Sequence, residues 1–145
     1  MKPLKLRAED AEDLQIISSA LQDSLVAVRD MGLLADQKRF ALVVNRFCWE
    51  AEPDAEGHYW RTHCALAFDT VNHAALRDID RRFDDRLLSL LDIEVESTHP
   101  AGGFVILLRF AGKPAIRLEV DRILCHLEDV GEAWPTGWRP AHRLD

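Results

Sequence analysis

The sequence has few of the residues and patterns that mark specialised classes of protein. Its three cysteines, Cys48, Cys64 and Cys125, are widely spaced and include no Cys-x-x-Cys pair, so no disulfide framework is indicated. No apolar run approaches the roughly 18 residues that a membrane helix needs. The basic start has no apolar segment behind it, unlike a signal peptide. We therefore expect a cytoplasmic protein with reduced thiols and no membrane partner.

Positive charge is also scarce. There are 18 Lys+Arg against 25 Asp+Glu, a formal net charge of −7, which repels a phosphate backbone in the absence of a basic patch. We expect no nucleic-acid partner. With 145 residues, 48% hydrophobic, and only 7 Gly and 6 Pro, the composition is that of an ordinary globular protein, and we expect a single domain over residues 1–145.

The sequence lacks a phosphate-binding loop, although "GGFVILLRFAGKPAIRLEVD" invites the comparison. A P-loop needs Gly-x-x-x-x-Gly-Lys-Ser/Thr leading into a helix, whereas Leu107 holds the place of the first glycine and Pro114 follows Lys113. Apolar residues alternate on both sides of "AGKP", and Gly112 supplies unusual backbone angles. This stretch predicts a hairpin with a tight turn.

Periodicity predicts the remaining elements. Leu14, Ile17 and Leu21 repeat at helical spacing behind an acidic first turn, which indicates an N-terminal amphipathic helix. Alternating apolar residues predict strands from Leu25, from about 39, from about 60, and over the second half of "LLSLLDIEVES". The stretch 71–79 is ambiguous between helix and strand, and we favour strand. In "DRILCHLEDVG", the spacing of Ile123, Leu124 and Leu127 predicts a C-terminal helix, followed by an extended arm.

These elements predict an α+β fold: an N-terminal helix, a largely antiparallel seven-stranded bent sheet or barrel, then a helix and the arm. Seven strands followed by a helix is the element count of a pleckstrin-homology-like barrel, a comparison that carries no function.

Candidate catalytic groups each have a simpler structural interpretation. The histidines include no His-x-x-x-His or His-x-His pair, so we expect no metal site and no cofactor. Cys64 is in phase with Leu66 and Phe68, which favours a buried core thiol over a nucleophile. The alternating acids and arginines of 77–86 are typical of a solvated surface.

Tryptophan and arginine provide the clearest functional signal. Both residue types are frequent at the centres of protein interfaces, and here they cluster around one loop and the C-terminal tail. One interpretation is a binding surface, and the other is a tail anchored by tryptophan that closes the core. The candidate binding residues are Trp49, Trp60, Arg61, Trp134, Trp138 and Arg139.

Several blocks of the chain resemble a known family. They are "KLRAEDAEDLQIISSALQDSLV", "KRFALVVNRFCWE", and "GGFVILLRFAGKPAIRLEVDRILCHLEDVGEAW" with the closing "RPAH". In this order they are similar to the bacterial family catalogued as domain of unknown function 2948. The resemblance implies a small cytosolic bacterial protein and carries over no catalytic residues.

Two functional hypotheses follow. The first is a noncatalytic protein- or ligand-binding module that holds a protein partner, or a second copy of the chain, on the Trp/Arg surface or at a strand edge. The second is a small-molecule enzyme or metabolite sensor whose site is assembled from distant residues such as His63, Asp69 and Arg109. Arg109 interrupts an apolar strand, so it either points to solvent or holds an anion.

Overall fold

The computed structural model describes residues 2–98 and 101–140, and the expected arm beyond residue 140 lies outside the described residues. One α-helix, α1 (Ala11–Ala20), is present among them. The ten strands are β1 (Lys5–Ala8), β2 (Leu25–Ala27), β3 (Met31–Leu34), β4 (Arg39–Phe47), β5 (Tyr59–Phe68), β6 (Val71–Arg77), β7 (Leu87–Thr98), β8 (Phe104–Phe110), β9 (Ala115–Val120) and β10 (Cys125–Thr136).

The strands form one open antiparallel sheet. Its order is β1-β10-β5-β4-β2-β7-β8-β9-β6, and β3 pairs with β4 beside this path. Short β2 pairs with both β4 and β7 and so joins the two halves of the sheet. The antiparallel sheet with an N-terminal helix confirms the coarse prediction of the fold.

The helix α1 lies where the sequence predicts it. Asp10 caps its first turn, since its side chain accepts a hydrogen bond from the backbone of Asp13 at 2.7 Å, which satisfies a donor that the helix itself leaves open. Leu14, Ile17 and Leu21 are all buried, and the helix packs on β7 and β1. No helix among the described residues is both long and apolar enough to cross a membrane.

The number of strands differs from the predicted seven. Strand β1 has only 4 residues, too few for a pattern, and the strand expected from Leu25 is divided into β2 and β3 by a short 3-10 turn. The ambiguous stretch is strand β6, as we favoured. The pleckstrin-homology-like comparison rested on seven strands before a helix, and that element order is not the observed one.

The predicted C-terminal helix is wrong. Residues 125–136 form β10, which pairs with β5 on one side and with β1 on the other. Cys125 and Leu127 are buried while Glu128 between Leu127 and Asp129 is exposed, so the segment follows the two-residue period of a strand. Because an acid, Asp129, holds the next inward position, this alternation is hidden in the sequence.

The hairpins of the sheet contain a tight turn at Gly112 and a register shift in β7. Gly112 has φ +87° in the connection between β8 and β9, where the Phe110 N–H donates to the Pro114 carbonyl at 3.0 Å, so the predicted turn at "AGKP" is confirmed. In β7, Leu91 is 41% exposed, although it is two residues from the buried Ile93. A register shift between Leu90 and Asp92 turns it outward, as a bulge does.

The core lies between the two halves of the sheet and α1. In β4 and β5 every second residue is buried, and these side chains meet those of β8 and β9. The main contributors are Phe40, Leu42, Val44, Leu66, Phe68, Ile106, Leu108, Ile116 and Leu118. No tryptophan belongs to this core among the described residues: Trp134 is half-buried and Trp138 is exposed.

Candidate functional site

The first residues of β5 point alternately to the two faces of the sheet. Trp60 and Thr62 are in phase with the buried Cys64, whereas Tyr59 and Arg61 lie on the opposite, outer face. Side chains alternate in this way along every strand. The predicted Trp/Arg group is therefore divided between two places, an outer surface and a cleft on the core side.

The outer surface is a cluster of rings and guanidinium groups, which we call the aromatic–arginine surface; it consists of Phe47, Trp49, Tyr59, Arg61 and Arg139. The Phe47 ring lies 4.6 Å from that of Trp49 and 5.6 Å from that of Tyr59, centroid to centroid. Arg139 Cζ lies 5.7 Å and 5.9 Å from the Trp49 and Tyr59 rings, within the range of cation–π attraction.

Phe47 is buried beneath this surface, at 2% exposure. Arg61 is also buried, at 6% exposure. Its Nε donates to Asn45 Oδ1 at 2.5 Å and its Nη2 to the Asn45 carbonyl at 3.0 Å, while Cζ lies 5.9 Å from the Phe47 ring. Burial lowers the pKa of Arg61, and the negative charge of Asp23 opposes that shift. Arg61 stays charged at neutral pH, because an arginine is not deprotonated in proteins.

The remaining predicted tryptophans of the tail lie near the same region. Trp134 is paired with Arg61 across β10 and β5, and its ring lies 4.8 Å from the ring of His63 on the outer face. Trp138 is 65% exposed, and its backbone N–H donates to Thr136 Oγ1 at 3.3 Å. Of the six predicted binding residues, the structure brings Trp49, Arg61 and Arg139 into one contact network.

Trp60 lines a separate cleft of about 790 Å³ on the core side of the sheet end. Most of its polar lining is acidic, and we call it the acidic cleft. Gly131 and the two residues after it, at the register shift of β10, form part of the wall. The residues that define it are Glu50, Glu52, Asp54, Trp60, Asp129 and Glu132.

A buried ion-pair network forms the base of the acidic cleft. Arg46 is only 1% exposed and donates to Asp129 through Nε at 2.8 Å and Nη2 at 2.7 Å. It also donates to Glu50 through Nη1 at 2.9 Å and Nη2 at 2.8 Å. The Asp129 carboxylate accepts two further bonds, from the Leu4 N–H at 2.8 Å and from Cys64 Sγ at 3.5 Å.

This network changes the acidity of its members. Burial alone would raise the pKa of Asp129, but the Arg46 hydrogen bonds and the Leu4 N–H outweigh burial and lower it. The Arg46 hydrogen bonds likewise lower the pKa of Glu50. Both carboxylates are therefore ionised at neutral pH, which keeps the cleft negatively charged.

Residues 4–142 match the family model described as Protein of unknown function (DUF2948). The chain belongs to this family. No curated protein and no solved structure matches it. The description of the DUF2948 family assigns no activity, and the two surfaces described above are the candidate functional sites.

The alternative small-molecule site has its three residues in separate places in this DUF2948 chain. Asp69 binds Arg39 Nε at 2.7 Å and lies 3.3 Å from His126 Nε2, while His63 contacts Trp134. His63 and Asp69 are about 20 Å apart along the strand direction, at 3.3 Å per residue. Arg109 is exposed on β8 and pairs with Asp92. The structure does not bring these three together.

The three cysteines of the DUF2948 chain are buried, which confirms the prediction for Cys64. Cys48, Cys64 and Cys125 are at most 1% exposed, and burial raises the pKa of all three, that of Cys48 to about 11. A thiolate is the reactive form of cysteine. In this fold these groups are therefore poor nucleophiles at neutral pH.

One exposed loop of the DUF2948 chain groups metal-binding residue types. Asp54, Glu56 and His58 have ligand atoms within 4.8 Å of one another. The Asp54 carboxylate accepts the backbone N–H groups of Glu56 at 3.0 Å and His58 at 2.8 Å, and the His58 bond is the main reason that its pKa is lowered. These bonds account for the shape of the loop, and the absence of a metal site stays a prediction.

Proposed function

We propose that this protein is a noncatalytic binding module that holds a protein partner on its aromatic–arginine surface. The observation that carries the proposal is the contact network of Phe47, Trp49 and Tyr59 with two guanidinium groups on an outer face of the sheet. Aromatic side chains bury a large area and lose little conformational entropy on binding. Together with arginine, they are the residues that dominate binding energy at interfaces.

The layout of this surface supports protein binding. Arg61 is already held by Asn45, and the rings hold one another, so binding requires little further ordering, and that ordering is one of the main costs of association. Exposed Trp138 lies next in sequence to Arg139 and adds apolar area. A surface that combines rigid rings with arginine has the composition of a binding hot spot.

The test compares Trp49→Ala with Trp60→Ala, two tryptophans from the two faces of the same sheet end. Tagged full-length protein is used to isolate partners, and the affinity of a purified partner is then measured by calorimetry. Loss of a hot-spot residue weakens binding by about 30-fold or more. We expect that loss for Trp49→Ala and Arg139→Ala but not for Trp60→Ala.

Thermal unfolding of each variant is the control for folding. If Trp49→Ala and Arg139→Ala keep full affinity for every partner and only lower the unfolding temperature, the surface is structural and the proposal is wrong.

A second candidate function, small-molecule sensing, is favoured by the acidic cleft. Its volume of about 790 Å³ lies within the range of ligand sites, roughly 300–1,000 Å³, and Trp60 offers an aromatic wall for a cation. The test is titration with choline and with its uncharged analogue 3,3-dimethylbutan-1-ol, followed by tryptophan fluorescence. Binding of choline alone, lost in Trp60→Ala, supports a cation site. Equal binding of both, or of neither, contradicts it.

A further inference from the structure

The two guanidinium groups of the aromatic–arginine surface define the chemistry of its partner, if the proposed function holds. Arg61 Cζ lies 5.9 Å from the Phe47 ring, and Arg139 Cζ lies 5.7 Å from the Trp49 ring. Phe47 and Trp49 are themselves in contact. Phe47 is only 2% exposed, so Trp49 and Tyr59 are the rings of this cluster that a ligand can reach. Both guanidinium groups lie within cation–π distance of the cluster.

The hydrogen bonds of Arg61 leave donors unused. Its two bonds, through Nε and Nη2, both go to Asn45, a neutral residue. Within residues 2–98 and 101–140, neither N–H of Nη1 has a partner. Nη1 is also not fully enclosed, because Ser24 Oγ is the one fully buried side-chain nitrogen or oxygen of the described residues that has no hydrogen-bond partner. Arg61 thus presents free donors at the surface from a side chain that is otherwise buried.

A carboxylate is the group that these donors fit. Arginine binds a carboxylate through two parallel N–H···O bonds, and such charge-assisted bonds are about twice as strong as neutral ones. Arg61 is already largely desolvated at 6% exposure, so little water must be removed from it on binding. Asp23 is near enough to raise its pKa, but a single carboxylate balances only one of the two guanidinium groups.

We propose that the partner inserts one acidic side chain, Asp or Glu, between Arg61 and Arg139, and packs its neighbouring apolar residues on Trp49 and Tyr59. The net charge of −7 disfavours a long acidic tract, because the whole protein repels it. A single carboxylate within an apolar segment avoids most of this repulsion. The expected occupant is therefore an apolar protein segment with one acid.

The first step of the test is selection of short random peptides displayed on phage against the immobilised full-length protein. We expect the enriched peptides to carry one Asp or Glu beside aromatic or aliphatic residues. Three results would overturn the proposal. The first is enrichment of peptides without an acid, and the second is no enrichment at all. The third is stronger binding of phosphoserine-containing peptides than of the acidic peptides when both are presented in a peptide array.

The second step measures the affinity of one enriched peptide by fluorescence polarisation. Replacing its acid by Gln should weaken binding about tenfold or more, the loss expected for a charge-assisted hydrogen bond to arginine. Arg61→Lys, which keeps the charge but removes the forked donors, should weaken it too. Arg139→Glu should weaken binding of the acidic peptide, and a peptide in which Lys replaces the acid should restore binding to this variant. Arg77→Gln, an exposed arginine on β6, is the matched control and should change nothing.

Unchanged affinity of the Gln peptide, or no restoration by the Lys peptide, contradicts the carboxylate assignment. The two proposals fail in different ways. Peptides that need Trp49 but no acid overturn this inference and leave the proposed function standing. A surface at which neither peptide nor protein binding responds to Trp49→Ala overturns both.

Discussion

Asp129→Asn and Glu50→Gln are expected to differ strongly in their effect on stability, although both replace a carboxylate by an amide of the same shape. Each carboxylate accepts two hydrogen bonds from Arg46. The Asp129 side chain is 6% exposed, whereas that of Glu50 is 42% exposed. The pair therefore separates the effect of burial from that of the hydrogen bonds.

The expected magnitudes follow from that difference in exposure. Removing one partner of a buried ion pair costs about 3–5 kcal/mol when the other charge stays buried without compensation. Arg46 keeps Glu50 as a partner in Asp129→Asn, so the expected loss lies at the lower end of that range. Water can replace an exposed partner, and exposed ion pairs contribute about 1 kcal/mol or less. We expect Asp129→Asn to lower the free energy of unfolding by about 3 kcal/mol or more and Glu50→Gln by about 1 kcal/mol or less.

Urea unfolding at pH 7, followed by tryptophan fluorescence, measures both losses from the midpoint and slope of the transition. Comparable losses in the two variants, or a loss below about 1 kcal/mol for Asp129→Asn, would refute the reasoning. A third variant tests its cause. Arg46→Met combined with Asp129→Leu removes both buried charges. It should be more stable than Asp129→Asn if the loss arises because the buried Arg46 charge keeps only the partly exposed Glu50 as its partner.

Three further outcomes are expected. The pKa of Asp129 is lowered in the fold, so its contribution to stability is complete above the unfolded pKa of about 4 and is lost as the pH falls. In urea titrations, the difference in free energy of unfolding between wild type and Asp129→Asn should therefore narrow below about pH 4. A difference that stays constant with pH would contradict this. Gly103→Ala should lower the free energy of unfolding by more than about 2 kcal/mol, because the added Cβ would overlap the Val120 carbonyl oxygen. Gly102 also has a positive φ but faces open space, so Gly102→Ala should cost about 1 kcal/mol. Equal losses in the two variants would refute the steric cause. The three buried thiols should react with Ellman's reagent only after denaturation, and rapid reaction of any one in the native protein would show that it is accessible.

The pattern of residues predicts those parts of the fold in which burial follows hydrophobicity. The hairpin of β8 and β9 is of this kind, since its buried residues are all apolar, and in α1 the buried residues are apolar except Ser18. The strand β10 is not. Its inward positions include Asp129, an acid that is buried only because Arg46 on β4 compensates its charge. The periodicity of one segment does not reveal a partner on another strand, and it therefore predicted a helix for these residues.

The candidate site shows the same limit. The prediction of tryptophan and arginine as candidate binding residues includes Trp49, Arg61 and Arg139, which are in one contact network. Residue type alone could not separate Trp60 from these three, because the face on which Trp60 lies depends on the phase of β5. Arg46 was the signal for the buried network, since it continues the inward series of Phe40, Leu42 and Val44, and an arginine in such a position requires a buried counter-charge.

The buried network also helps to determine where the two candidate surfaces lie. Arg46 is opposite Thr62, and Asp129 is opposite Cys64, so their ion pair spans the central strand β5 and ties β4 to β10. Beyond it the register of β10 shifts, and Trp134 becomes paired with Arg61. A slip by one residue would exchange the faces of β5 and move Arg61 into the cleft. The ion pair holds the register that keeps the acidic cleft and the aromatic–arginine surface on opposite sides of one sheet.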